Sequence, residues 1–132
     1  MTLTTDDRLA IHELLSLHGH LMDSGDLDQL DRLFTPDVVY DLSPLGSAKL
    51  HGIDAIRRAA LQLGDKNPVA HHITNVVVMQ GDEKVTARSK GIGIRTDGSV
   101  GSVVYDDELQ QTTNGWRISR RRISTRREPL RP

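Results

Sequence analysis

The sequence predicts an α+β domain with elements ordered α-α-β-α-β-β-β-β. Three observations predict it. Apolar residues in the first part recur at helical spacing, whereas runs of β-branched and apolar residues fill the second half. The breaks between those runs set Gly beside Asp, Asn or Gln, which is hairpin chemistry. Helices followed by a strand meander argue for helices covering one face of an antiparallel sheet.

Thr5, followed by Asp6 and Asp7, reads as a helix cap with negative charge in the first turn. Ile11, Leu14, Leu15, His18 and Met22 then form an amphipathic stripe, and Ser24-Gly25 ends the helix. Asp26 is placed to cap a shorter helix that buries Leu27, Leu30, Leu33 and Phe34, with Thr35-Pro36 as its stop. Residues 37–42 are a short strand and residues 43–49 a loop rich in Ser, Pro and Gly. A third helix starts after Gly52, turns Ile53, Ile56, Ala60 and Leu61 inward, and ends near Gly64. Strand-like runs follow at 70–79, 84–95, 102–112 and 116–126.

Length and composition bound the function. A chain of 132 residues fits a single domain over 1–132, with 127–132 as a loose tail. The net charge of −1 gives no global attraction to nucleic acid or an anionic membrane. Aromatic residues are few (Phe34, Tyr40, Tyr105 and Trp116), which disfavours base stacking. With no cysteine there is neither a disulfide nor a thiolate metal site. No apolar run approaches the roughly 20 residues of a membrane span, and the N-terminus, from Met1, lacks signal-peptide character. A cytoplasmic protein is expected.

The chemistry-bearing stretch is Ala70-His71-His72-Ile73-Thr74-Asn75, two imidazoles at the mouth of an apolar strand. Histidine moves protons near neutral pH, since its unperturbed pKa is about 6.5. Strand alternation puts His71, Ile73, Asn75, Val77 and Met79 on one face and His72, Thr74, Val76 and Val78 on the other. One histidine therefore faces a pocket; His71 is the candidate and His72 the alternative. Asp23, at the end of the first helix, is a carboxylate that could orient such an imidazole. His18 lies on the apolar stripe of that helix, while His12 and His20 fall on its polar flanks. A metal held by His18, Asp23 and His71 is disfavoured, because no His-x-x-x-His pair supports it. No phosphate loop, dinucleotide fingerprint or serine elbow is present. The last strand is basic, with Arg117, Arg120, Arg121, Arg122, Arg126 and Arg127. One of Arg120, Arg121 and Arg122 can point into the sheet's concave side to hold an anionic group, and the sequence leaves open which.

Six pieces in order resemble the SnoaL-like branch of the nuclear transport factor 2-like superfamily. They are residues 22–30 (Met-Asp-Ser-Gly-Asp-Leu-Asp-Gln-Leu), 33–40 (Leu-Phe-Thr-Pro-Asp-Val-Val-Tyr), 52–56 (Gly-Ile-Asp-Ala-Ile), 71–75 (His-His-Ile-Thr-Asn), 105–109 (Tyr-Asp-Asp-Glu-Leu) and 115–118 (Gly-Trp-Arg-Ile). The resemblance implies a cone: a curved, mixed, mainly antiparallel sheet around three helices, with an apolar pocket at its open end. It implies a cofactor-free dehydratase, isomerase or cyclase acting on a small apolar or polycyclic molecule. Relatives of the fold that only bind, and others that activate water in the manner of epoxide hydrolases, are the alternatives. Dehydratase-like members carry an Asp and a His at the points occupied here by Asp23 and His71. His18 stands where these relatives often have Tyr, and Tyr40 lies on the strand that supplies a Tyr in some. Asn75, on the His71 face, could donate to a substrate oxygen, and Tyr105, Asp107 and Arg121 are further substrate-binding candidates; Asp107 with one of Arg120, Arg121 and Arg122 could take part in an acid–arginine set around a water. The resemblance further implies a homodimer, with no cofactor and no metal.

Overall fold

The computed structural model describes residues 2–125 and 128–132. Met1, Arg126 and Arg127, three positions named above, lie outside the described residues. The order is α1 (Thr5–Ser24), a 3-10 turn (Leu27–Arg32), β1 (Phe34–Asp41), β2 (Lys49–His51), α2 (Ile53–Leu63), β3 (Ala70–Gln80), β4 (Val85–Ile94), β5 (Val100–Thr112) and β6 (Gly115–Thr125). Short 3-10 turns also occupy Ser43–Leu45 and Gly64–Lys66. The six strands form one sheet in the order β2-β1-β6-β5-β4-β3. Every pairing is antiparallel except β1 with β6. The expected α+β cone is the observed architecture, with an unclosed sheet.

The helix starts one residue earlier than expected. Thr4, not Thr5, is the cap: its side chain accepts from the Asp7 N–H while Asp7 accepts from the Thr4 N–H. This reciprocal box satisfies two otherwise orphaned donors and contributes about 1 kcal/mol. Gly25, in the left-handed conformation at φ 70°, ends α1 and directs its N–H back to Leu21 and Met22. The expected second helix is a 3-10 turn without a side-chain cap from Asp26. It ends at Arg32, because Leu33 and Phe34 already feed β1, which carries Thr35 and Pro36 inside it. Two α-helices and this turn therefore stand where three helices were expected. The three-residue β2 is too short to leave a period in the sequence.

The core lies between α1, the first turn and the sheet, around Ile11, Leu15, Leu30, Leu33, Phe34, Val38 and Ile118. Trp116 closes its base and donates its indole N–H to Asp7. Leu61, expected inward, is 67% exposed. It lies beyond the Ile53–Ile56–Ala60 stripe, near the open end, where α2 borders cavities instead of core.

Two β-bulges redirect the inward face of the sheet. In β3 the register shifts between Thr74 and Val77, and Asn75 takes a φ of 56°. Before the bulge His71 and Ile73 turn inward; after it Val76 and Val78 do, leaving Val77 and Met79 exposed. Asn75 is exposed on the bulge, which corrects its expected place beside His71. In β6 the shift falls opposite Glu108 and Leu109. Trp116 and Ile118 face in before it, and Arg121 and Ile123 after it. Strict alternation from Ile118 would have buried Arg120 and Arg122 instead.

Candidate active site

α1 delivers two groups to the open end of the cone. His18 is 3% exposed on its inward face, and Asp23 sits on its last turn. β3 crosses α1 at His71. The crossing is close because Gly19 stands there: a Cβ on Gly19 would lie 2.7 Å from the His71 carbonyl oxygen. A helix-interior Gly costs about 1 kcal/mol relative to Ala, and here it lets the two backbones touch. Asp23 lies one turn beyond Gly19 along the same ridge as Ile11 and Leu15, and so reaches β3.

Asp23 uses both carboxylate oxygens on His71. Oδ2 accepts from the His71 backbone N–H at 3.0 Å, and Oδ1 meets Nδ1 at 2.6 Å. A carboxylate at Nδ1 holds the proton there and leaves Nε2 with its lone pair. The side chains are 14% exposed for His71 and 29% for Asp23. The pair thus stands at the mouth of the cone, not in a sealed hollow. His72 faces out and is exposed.

His71 is the wall common to three cavities. The outer chamber, about 440 Å³, also touches Tyr105, Gly91, Gly93, Gly101 and Arg95. An inner chamber of about 140 Å³ is bounded by His18, Tyr40 and Tyr105 among apolar side chains. A side cleft of about 220 Å³ runs below Pro68 and Asn67. Pockets of the outer chamber's size and apolar character accommodate small molecules.

The His18 ring meets the His71 and Tyr105 rings edge-on, at 5.8 and 5.9 Å between centroids. Its Nδ1 has no hydrogen-bond partner among the described residues. Burial, followed by the charges of Arg121 and His71, holds the His18 pKa well below its ordinary value. His18 is therefore a neutral imidazole. Burial also raises the Tyr105 phenol, with Arg121 opposing and Asp107 adding. Tyr40 is pushed up further, by burial and by Tyr105. Both phenols keep their protons at neutral pH and can donate hydrogen bonds.

Behind Tyr105 lies a sealed ion pair. Arg121 donates from Nε and Nη2 to the two oxygens of Asp107, at 2.7 and 2.9 Å, with both side chains fully buried. Burial works against the Arg121 charge, but Asp107 outweighs it and raises the guanidinium's pKa. The guanidinium carbon sits 4.2 Å from the Tyr105 ring centroid, and Nη1 is unpartnered among the described residues. Neither Asp107 nor Arg121 lines the chambers that His71 borders; they act on the site through Tyr105, Tyr40 and His18. Among the described residues no three His, Cys, Asp or Glu side chains gather to hold a metal, and no helix is long and apolar enough to cross a membrane.

Sequence reasoning missed four glycines and an arginine. Gly19 could have been found as an unexplained glycine inside an apolar helix stripe. Gly91, Gly93 and Gly101 recur at strand period on β4 and β5, where missing side chains leave a hollow. Arg95 continues the Gly91–Gly93 face at the end of β4.

A curved sheet cupping a helix, with an acid–imidazole pair over an apolar chamber, defines the class as a nuclear transport factor 2-like α+β cone. Within that class the chain belongs to the SnoaL-like domain family, whose model matches residues 4–122. It is 36% identical over 129 residues to the uncharacterized protein Rv2910c of Mycobacterium tuberculosis H37Rv, covering 87% of this chain and 82% of that one. A crystal structure from Novosphingobium aromaticivorans, provisionally named an aromatic ring hydroxylase, is 29% identical with a TM-score of 0.78, covering 94% and 92% of the two chains. A second from that organism, provisionally named a scytalone dehydratase, shares the fold at 20% identity and a TM-score of 0.71, over 97% and 94%.

Proposed function

We propose that this protein is a cofactor-independent acid–base enzyme for a small, largely apolar molecule, of dehydratase, isomerase or cyclase type. The supporting observation is the Asp23–His71 contact on the wall of the outer chamber. In this reading His71 Nε2 removes a proton from an activated carbon or a hydroxyl. Asp23 is a positioning residue: it fixes the imidazole's tautomer and stabilises the imidazolium that forms. Tyr105, with Tyr40 or His18 from the inner chamber, donates to the oxygen that gains charge or departs. The His71 proton then returns to that oxygen in an elimination, or to another carbon in an isomerisation. General acid–base help of this kind contributes about 10²–10⁴-fold, and preorganised donors in an apolar chamber supply the rest.

The test is a thermal-shift screen of hydroxylated polycyclic and terpenoid compounds on wild type and His71→Ala, followed by mass analysis of the hits. Loss of water or isomer formation that needs His71 is the expected outcome. Ligands that bind wild type and are never converted would assign the chain to the binding-only relatives.

A further inference from the structure

From the outer chamber we infer that the substrate carries an anionic group, a carboxylate or an equivalent oxyanion, seated on Arg95 at the end of the chamber away from His71. The inference rests on the active-site reading above and extends it to substrate class.

Four observations carry it. First, among the described residues Arg95 is the sole permanently charged one lining this chamber, and no described carboxylate lines it. The chamber is thus apolar with a single cation at its mouth, and the low-dielectric wall strengthens that cation's field. Second, the Arg95 guanidinium rests against the sheet, although the residue is exposed. It lies across the inner face of β5 at Gly101, where a Cβ would meet Nη2 at 3.1 Å and Nη1 at 3.6 Å. Third, Arg95 forms no ion pair among the described residues; its side chain has one long contact, 3.4 Å to the Ser99 hydroxyl. The nearby Asp97 carboxylate accepts from the Ser99 N–H and feels the Arg95 charge without forming an ion pair with it. Most of the guanidinium's donors remain available, and a planar fork of N–H groups suits a carboxylate. Fourth, the floor between Arg95 and His71 is glycine backbone, overlain in part by the Pro68 and Tyr105 rings. Gly93 pairs across β4 and β5 with Gly101, and on the other side with His71. Its missing Cβ leaves room for the Pro68 ring, as the missing Cβ of Gly91 does for the Tyr105 ring. A molecule lying on this floor meets the cation at one end and the imidazole at the other.

The experiment titrates the purified full-length protein with a matched probe pair, 2-naphthoate and its neutral analogue 2-naphthamide, followed by fluorescence. Wild type is expected to hold the carboxylate about tenfold or more tighter than the amide, as a charge-assisted pair would give. Arg95→Gln brings the two probes to similar affinity, and Arg95→Lys restores part of the preference. Gly101→Val, which displaces the guanidinium without removing it, also lowers the preference. His71→Ala retains it, which separates the anchor from attraction to an imidazolium. Equal affinities in wild type, no saturable binding of either probe, or a preference that survives Arg95→Gln would overturn the inference. The two readings fail separately: turnover that needs His71 but ignores Arg95 removes only the anchor. Anion preference that needs Arg95, with turnover indifferent to His71, removes only the acid–base role.

Discussion

The Asp23–His71 and Asp107–Arg121 pairs share one cone, and they are built for opposite purposes. Asp23 engages His71 with both oxygens at the cavity mouth, where the side chains keep 29% and 14% of their exposure. Asp107 engages Arg121 with both oxygens where neither side chain has any exposure. The outer pair includes a group that can lose its proton and faces a chamber. The inner pair includes a guanidinium that stays charged and faces a phenol ring. Similar geometry therefore yields a proton-transfer device at the rim and a fixed charge in the interior. The difference lies in water access and in the choice of imidazole or guanidinium.

Breaking the inner pair should have the largest effect. Asp107→Ala leaves an uncompensated buried guanidinium, and a loss of about 3–5 kcal/mol is expected, read as a lower urea midpoint. Replacing both partners together, Asp107→Leu with Arg121→Met, should recover much of that loss. A double variant as unstable as Asp107→Ala would show that the pair's packing, not its charge balance, matters.

Breaking the outer pair should affect rate instead of stability. His71→Ala is expected to cost about 10²–10⁴-fold in turnover of any substrate found, while the urea midpoint moves little because the side chain is at the rim. A large stability loss with unchanged turnover would make the outer pair structural, like the inner one.

Gly19→Ala sharpens the contrast. The added methyl must push the His71 carbonyl away, and misplacement of that order costs about 10²-fold in rate. Alanine's helix propensity returns about 1 kcal/mol, so stability should change little. Turnover equal to wild type would separate Asp23–His71 geometry from function.

The smallest effect concerns His18, which lies between the two pairs. It is held neutral in the folded protein, with its pKa below the ordinary 6.5. Between those values the unfolded chain binds the extra proton, so stability falls as pH drops below about 6.5, by at most about 1.4 kcal/mol per pH unit. His18→Gln should flatten this limb of the Tm–pH curve. An unchanged limb would mean that His18 takes up its proton in the folded state.

The outer pair was more legible in the sequence than the inner one. The helix stripe, the hairpin breaks and the His-His-Ile-Thr-Asn strand entry all carry periodic or compositional signals. The approach of Asp23 to β3 was not legible, because Gly19, the residue that brings α1 against β3, contributes no apolar signal. The inward choice of Arg121 over Arg120 and Arg122, and the outward turn of Asn75, each depend on a bulge. One extra residue reverses the faces of everything beyond it and leaves no reliable local mark. Arg95 was hidden for a related reason: it matters only because glycines two and four residues before it, and Gly101 across the sheet, leave a hollow.

The central claim is that Asp23 fixes the tautomer of His71 so that Nε2 faces the chamber as a base. Nitrogen-15 NMR of the histidine rings reads this directly, without a substrate. Wild type above neutral pH should show His71 protonated at Nδ1 with a bare Nε2, and Asp23→Asn should shift that balance. A His71 ring protonated at Nε2, or one whose tautomer ignores Asp23→Asn, would contradict it.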